Sequence, residues 1–298
     1  VILVFGNGQL GQELARMAGD RGMPLRVLAR QDADIAERGA VASAIKREGP
    51  KLVVNAAAYT KVDQAETEVE AAERGNAIGP GVLARACADA GIPLVHVSTD
   101  YVFDGTKQGA YVESDPIAPL GVYGRTKAAG EAAVRDALPE HAILRTSWVY
   151  GEFGHNFLKT MLRLAREREE LHIVADQRGC PTSTRELASA ILALAPRLVA
   201  REAIFGTYHF AGSGVTTWHG FAARLVAAQA QITGRKPRVT AITTAEFPTA
   251  ARRPANSELD SAVFAKTFGF RARPWEQEAD ATVRAALMAE RGKAPHVA

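Results

Sequence analysis

The sequence predicts an α/β protein: a doubly wound parallel sheet followed by a smaller C-terminal α/β lobe. Three observations predict it. An unbroken apolar run, Val1-Ile2-Leu3-Val4-Phe5, passes directly into Gly6-Asn7-Gly8-Gln9-Leu10-Gly11. Short apolar runs then alternate with helical patterns as far as Thr146. Beyond Tyr150 the alternation loosens.

Each element follows from its pattern. A continuous apolar run is what a parallel strand covered on both faces requires. Glu13–Ala18 reads as helix, closed near Gly22. Leu25–Ala29 is the second strand, residues 36–48 are helical, and Lys51–Asn55 is the third strand. A long helical pattern covers 67–90, with Pro80 expected to kink or break it. Ile92 to Val97 is the fourth strand, a helix runs from Val122 to about Ala137, and Ala142–Thr146 is the fifth strand. Strand–helix alternation implies right-handed crossovers, and hence a Rossmann-type sheet over residues 1–150. The remainder, 151–298, is expected to form the substrate lobe, with helices near 156–168, 184–199, 217–231 and 275–290 and short strands near 171–175, 206–210 and 237–243. The 184–199 helix is placed to return to the first domain.

Composition sets bounds. A chain of 298 residues with 47% hydrophobic content can fill a large core. Its net charge of +3 supplies no field that argues for nucleic acid or membrane. Cys87 and Cys180 lack disulfide or metal spacing and read as packing thiols in a reducing compartment. No apolar run reaches membrane-spanning length, and a strand begins at Val1, so no leader and a cytoplasmic location are expected.

The glycine string G-x-G-x-x-G is a weak signal alone, but here it leaves the first strand and opens the first helix. That is where a pyrophosphate sits on free N–H groups with the helix dipole behind it. Gly6, Gly8 and Gly11 therefore point to a dinucleotide. An acid at the end of the second strand would bind the adenosine ribose hydroxyls; this chain has Ala29 then Arg30. Arg30 favours NADPH by pairing with a 2′-phosphate, and NADH stays open because Asp32 is close by. Asp34 and Ile35 can border the adenine, and the small residues after Asn55, Ala56 to Ala58, either let a nicotinamide ribose pass close or serve tight core packing.

The chemistry is expected at Ser98-Thr99-Asp100-Tyr101 and Val122-Tyr123-Gly124-Arg125-Thr126-Lys127. Tyr123 and Lys127 are four apart and share a helix face. A phenol of pKa ~10 is a poor acid, and an adjacent ammonium is expected to bring it toward neutrality. Tyr123 then protonates a carbonyl oxygen as hydride reaches carbon, and Thr99 holds the same oxygen. Asp100 either touches substrate or caps the strand end. Trp148 is expected at the edge of a cleft. Arg252 and Arg253 can meet a substrate diphosphate or be solvated, and His155 and His209 read as structural.

These residues, in this order, resemble the extended short-chain dehydrogenase/reductase family, with its glycine loop, its Ser or Thr after the central strand and its Tyr-x-x-x-Lys. Finer matches are Gly8–Gly11, Asn55–Asp63, Ser98–Gly105, Val122–Gly124, Arg145–Tyr150, Asp176-Gln177 with Pro181-Thr182, and Ala251–Ser257, which span nearly the whole chain. The resemblance implies NAD(P)H-dependent reduction of the C4 ketone of dTDP-4-dehydro-L-rhamnose to dTDP-L-rhamnose. It assigns Thr99, Tyr123 and Lys127 to catalysis. It adds Gln9, Leu10, Ala57, Ala58, Tyr59 and Thr60 to the cofactor site, and Val62, Tyr101 and Trp148 to the sugar pocket. The glycine loop is one residue shorter than the usual G-x-x-G-x-x-G. Related dehydratases carry Thr-Asp-Glu where this chain has Thr99-Asp100-Tyr101, so elimination lacks a partner and simple reduction fits better. Alternatives are a reductase of another dTDP-4-keto sugar, or an NADP-binding regulatory subunit like the β subunit of methionine adenosyltransferase. Some members bind Mg2+ through glutamates at a homodimer interface; Glu13 and Glu186 match two of these, and no third is aligned.

Overall fold

Ile2–Phe5 forms β1, buried at every position as its unbroken apolar run requires. Parallel to it lie β2 (Leu25–Leu28) on one side and β3 (Leu52–Asn55) on the other. The sheet continues through β4 (Leu94–Thr99) and β5 (His141–Thr146). The connections hold α1 (Gln9–Asp20), α2 (Arg38–Glu48), α3 (Val62–Ala65), α4 (Val69–Glu73), α5 (Gly79–Ala90) and α6 (Val122–Ala137). The break in the long helical pattern is a π turn, Arg74–Ile78, between α4 and α5. Pro80 follows it directly, in the first turn of α5, where its missing N–H and its ring interrupt the regular helical bonding to the preceding turn. This computed structural model describes residues 1–202 and 204–291.

The second half contains β6 (Val149–Tyr150), α7 (Phe157–Glu167), β7 (Glu170–Val174), β8 (Arg178–Gly179), β9 (Thr182–Ser183), α8 (Thr184–Val199) and β10 (Gly206–His209). It ends with β11 (Thr216–Thr217), α9 (Trp218–Thr233), β12 (Arg238–Ile242), β13 (Asn256–Ser257), α10 (Ala262–Phe268) and α11 (Trp275–Arg291). One expectation needs correcting. The strand near 206–210 is not part of the C-terminal lobe. β10 pairs in parallel with β5 and completes a six-stranded sheet of order β10-β5-β4-β3-β1-β2. The crossover helix α8 carries the chain back, burying Leu187, Ile191, Leu194 and Leu198.

Alternation along the strands builds a core on each face. Ile2 and Val4 pack with α1 and α8, while Leu3 and Phe5 pack with residues of α2, α5 and α6, including Val41, Leu83 and Val134. Cys87 lies in this second core, and Cys180 lies in a smaller cluster with Val102 and Phe103. Burial pushes their thiols up to about 12 and about 11, as packing residues require. A separate core joins α7, α9 and α11 around Leu162, Phe221 and Val283. No helix among the described residues is long and apolar enough to cross a membrane. The strand order reverses direction between β1 and β3, so the crevice beyond their carboxyl ends is where an open α/β sheet takes a ligand.

Candidate active site

The glycine loop fills that crevice. Gly6 has φ +111°, and a Cβ there would lie 2.5 Å from the Ala57 nitrogen. Only glycine lets the end of β1 pass so close to the end of β3. A Cβ on Gly11 would collide with the Gly6 carbonyl oxygen. Gly8 is different: it is the N-cap of α1, and a Cβ there would meet nothing within 4 Å among the described residues. The first turn of α1 has no acidic residue, so its free N–H groups face open space as an anion cradle. Leu10 is buried in the core and can serve a phosphate only through its backbone. The Gln9 amide donates to the Val149 carbonyl (3.3 Å) and accepts from Asn156 (3.2 Å), tying the cradle to the second half of the chain.

At the end of β2, Arg30 is exposed and its Nε donates to Asp34 at 3.2 Å. Arg74, on the π turn, reaches the same carboxylate at 3.3 Å. Burial pushes the Asp34 carboxyl up, but the Ala36 N–H, Arg74 and Arg30 outweigh it and hold it below its ordinary value. Two guanidiniums, not one, therefore flank the expected ribose site. Nothing local in the sequence links Arg74 to Arg30. Ile35 is buried in the core, close against Gly79.

The loop after β3 is also held from the π turn. Buried Asn76 accepts from the Tyr59 N–H (2.8 Å), and its amide donates to the Tyr59 carbonyl (3.0 Å) and the Thr126 hydroxyl (3.2 Å). Ala57 N–H donates to the Asn55 side chain (3.1 Å). Ala58 and Thr60 are exposed. The Tyr59 hydroxyl donates to Glu68 (2.7 Å). Asn76 is a site-shaping residue that the sequence reading missed; a Gly75-Asn76 pair inside a helical pattern is the signal for such a bulge.

Thr99, Asp100, Tyr101 and Tyr123 do converge. The Thr99 hydroxyl donates to Asp100 Oδ1 (2.9 Å) and accepts from the Tyr101 N–H (3.1 Å). The Tyr101 and Tyr123 rings meet edge to face, with centroids 5.6 Å apart. Lys127 lies one turn deeper in α6, and its Nζ donates to the Val97 carbonyl at 2.7 Å. The expectation that Lys127 makes Tyr123 acidic is not met. Burial, then the Asp100 charge, push the Tyr123 phenol up to about 12, against the Thr99 hydroxyl. Lys127 is itself drawn down to about 8 by burial, against the charge of Glu131. Burial dominates both groups, and the ammonium is committed to a backbone carbonyl. Tyr123 is thus a protonated phenol, the form an acid must have. Burial also raises Asp100 to about 6, against the Ser257 and Thr99 hydroxyls.

A cleft opens beside Tyr123, lined by Val62, Glu66, Tyr101, Leu120, Arg252 and Pro254 among others. Glu66 accepts the Val122 N–H (2.7 Å) and so caps the first turn of α6. Arg252 is exposed at this cleft, whereas Arg253 is committed to Asp63 at 2.7 Å. Trp148 has φ +47°, a strained conformation for a bulky residue. Its indole stacks on Trp218, with centroids 3.7 Å apart, and lies against Gly179, where a Cβ would come within 2.6 Å. Trp218 supports Trp148 from 70 positions away along the sequence, and no motif announces it.

The glutamates matched to magnesium ligands are paired with arginines in this chain. Glu13 pairs with Arg16 and accepts from Thr184 (3.2 Å), while Arg273 pairs with both Glu186 (3.0 Å) and Glu278 (2.8 Å). Guanidinium groups already neutralise these carboxylates, and no group of three potential ligands is arranged for a metal among the described residues.

Comparison with known proteins matches residues 1–288 to the RmlD substrate binding domain. The chain belongs to the RmlD substrate-binding domain family. Among RmlD relatives, the dTDP-4-dehydrorhamnose reductase of Sinorhizobium fredii is 44% identical over 284 residues, covering 95% of this chain and 96% of that protein. The Escherichia coli K12 protein of the same name is 40% identical over 285 residues, covering 92% and 94%. A solved dTDP-4-dehydrorhamnose reductase from Clostridium acetobutylicum superposes with a TM-score of 0.89 at 36% identity, covering 96% of this chain and 99% of that one. One from Bacillus anthracis, in complex with NADP, superposes with a TM-score of 0.88 at 35% identity, covering 95% and 98%.

Proposed function

We propose that this protein reduces the C4 ketone of dTDP-4-dehydro-L-rhamnose to dTDP-L-rhamnose, using NADPH. The observation that carries this reading is the convergence of protonated Tyr123 with Thr99 and Asp100 after β4, at the same carboxyl end of the parallel sheet from which the glycine loop leaves β1. The RmlD relatives and their solved structures support the same reading.

Gly6, Gly8, Gln9, Leu10 and Gly11 would hold the pyrophosphate, and Arg30 with Arg74 the adenosine 2′-phosphate. Asp34, Ile35, Ala57, Ala58, Tyr59 and Thr60 would line the rest of the dinucleotide. A bound nicotinamide supplies the hydride, two electrons and one hydrogen nucleus, to C4. Tyr123 gives its proton to O4 as negative charge develops there, which completes the alcohol. Thr99 holds the same oxygen. Lys127 steadies the site by holding the Val97 carbonyl, two residues before Thr99. Val62, Asp100, Tyr101 and Trp148 would form the walls around the sugar.

The test is a panel of dTDP-4-keto sugars with NADPH and NADH, followed by NMR of the products. Turnover of dTDP-4-dehydro-L-rhamnose ahead of other sugars is the expected result. Tight NADP binding without turnover of any sugar would favour the regulatory reading instead. Tyr123→Phe should lower kcat by about 10²–10⁴-fold with little change in NADPH binding; wild-type turnover would refute the assignment.

A further inference from the structure

One turn beyond Lys127, α6 carries a carboxylate that the reduction does not use. Glu131 is fully buried. It accepts from the Ser98 hydroxyl (2.6 Å), from Arg145 Nε (2.9 Å) and Nη2 (2.7 Å), and from Arg135 Nη1 (3.2 Å). Arg145 is buried as well. Its guanidinium lies over the Phe103 ring at 5.2 Å, and its Nη1 faces His209 at 3.4 Å. Burial pushes the Glu131 carboxyl up, but Arg145, Ser98 and Arg135 outweigh it and keep the group ionised.

Stability alone does not call for such a pair, because well-packed apolar residues in its place are often as stable or more so. What the pair supplies is geometry. Lys127 holds the Val97 carbonyl and Glu131 holds the Ser98 hydroxyl, on the two residues immediately before Thr99. Arg145 is the register partner of Ser98 in β5, and Thr146 that of Thr99. One carboxylate therefore clamps the end of β4 to both α6 and β5, next to the residue that is to hold the ketone. A looseness of ~1 Å at such a point can cost on the order of 10²-fold in rate.

We propose that Glu131, together with Arg145, is a positioning residue for the reduction, locking the end of β4 against α6 so that Thr99 and Lys127 stay aligned with Tyr123. This rests on Tyr123 being the acid. The charged and titratable groups around Glu131 and Lys127 include Arg135 on the same helix, His96 on β4, Arg145 on β5 and His209 on β10. Removing the carboxylate charge takes away the influence that holds Lys127 up against burial.

The test compares Glu131→Gln and Ser98→Ala with wild type in full-length protein, measuring kcat and both KM values from pH 6 to 9.5 and NADPH binding by fluorescence. Each variant is expected to lower kcat by about tenfold, with NADPH binding and sugar KM within about twofold of wild type. Glu131→Gln alone should move the alkaline fall in kcat to lower pH, because only it removes a charge. Unchanged kcat in both variants overturns the proposal, and so does a kcat loss in Glu131→Gln with an unmoved alkaline limb. If Glu131→Gln does not fold, Ser98→Ala, which leaves the ion pair intact, decides by its kcat. Tyr123→Phe is assayed in parallel. If it retains turnover, the acid assignment falls; if it alone is inactive, only the positioning role falls.

Discussion

Replacing Asp100 by Asn should stabilise the protein at alkaline pH and leave it unchanged in acid. Asp100 is 3% exposed, and burial raises its carboxyl from 3.8 to about 6. A raised folded-state pKa means that the folded chain binds the proton more tightly than the unfolded chain does. The associated stability is fully present below about pH 4 and is lost as pH rises through about 6. The shift is about two units, and each unit is worth about 1.4 kcal/mol, so the ionised side chain costs roughly 3 kcal/mol at pH 8. An amide keeps the shape and can still accept from the Thr99 hydroxyl, but it has no charge to desolvate. At about 2 °C per kcal/mol for a chain of this size, the unfolding midpoint of Asp100→Asn should lie roughly 5 °C above wild type at pH 8. Differential scanning fluorimetry from pH 4 to 8.5 measures the gap. The reasoning is refuted if the variant melts at or below wild type at pH 8, or if the gap does not close toward pH 4.

Arg30→Ala combined with Arg74→Ala should raise KM for NADPH relative to that for NADH by on the order of tenfold, the worth of a charge-assisted contact to phosphate; steady-state kinetics with both cofactors would show an unchanged ratio if neither arginine meets the 2′-phosphate. Gly11→Ala drives a methyl group into the Gly6 carbonyl and should cost roughly 1–3 kcal/mol along with NADPH affinity, read by thermal melts and calorimetry. Wild-type binding by that variant would show that the loop does not need the close approach.

The first half of the chain was legible because its signals are local. The run Ile2–Phe5, the glycines that follow it and the Tyr123–Lys127 spacing all report on neighbours within one turn or one strand. The helices at 184–199 and 275–290 also fell within a residue of their observed ends, since strong apolar periodicity marks them. The misplacement of Gly206–His209 has a different origin. Its four residues look like any short strand, and what assigns them to β5 is the tertiary course of α8. The electrostatics of Tyr123 failed for a similar reason. Spacing puts an ammonium on the right face, but only the folded chain shows that it donates to Val97 while the phenol faces Asp100. Arg253 and Asp63, 190 positions apart, and the Trp148–Trp218 stack likewise join residues that no sequence window contains together.

The late arrival of β10 has a consequence for biosynthesis. A nascent chain that has emerged only to Tyr150 would hold the glycine loop and Tyr123, but β5 would be left as a bare edge and the apolar side of α1 would still await α8. Such an unpaired edge is an invitation to neighbouring polypeptides on the ribosome. The six-stranded sheet closes only when about sixty further residues have been made. Fragments cut near position 150 should therefore precipitate.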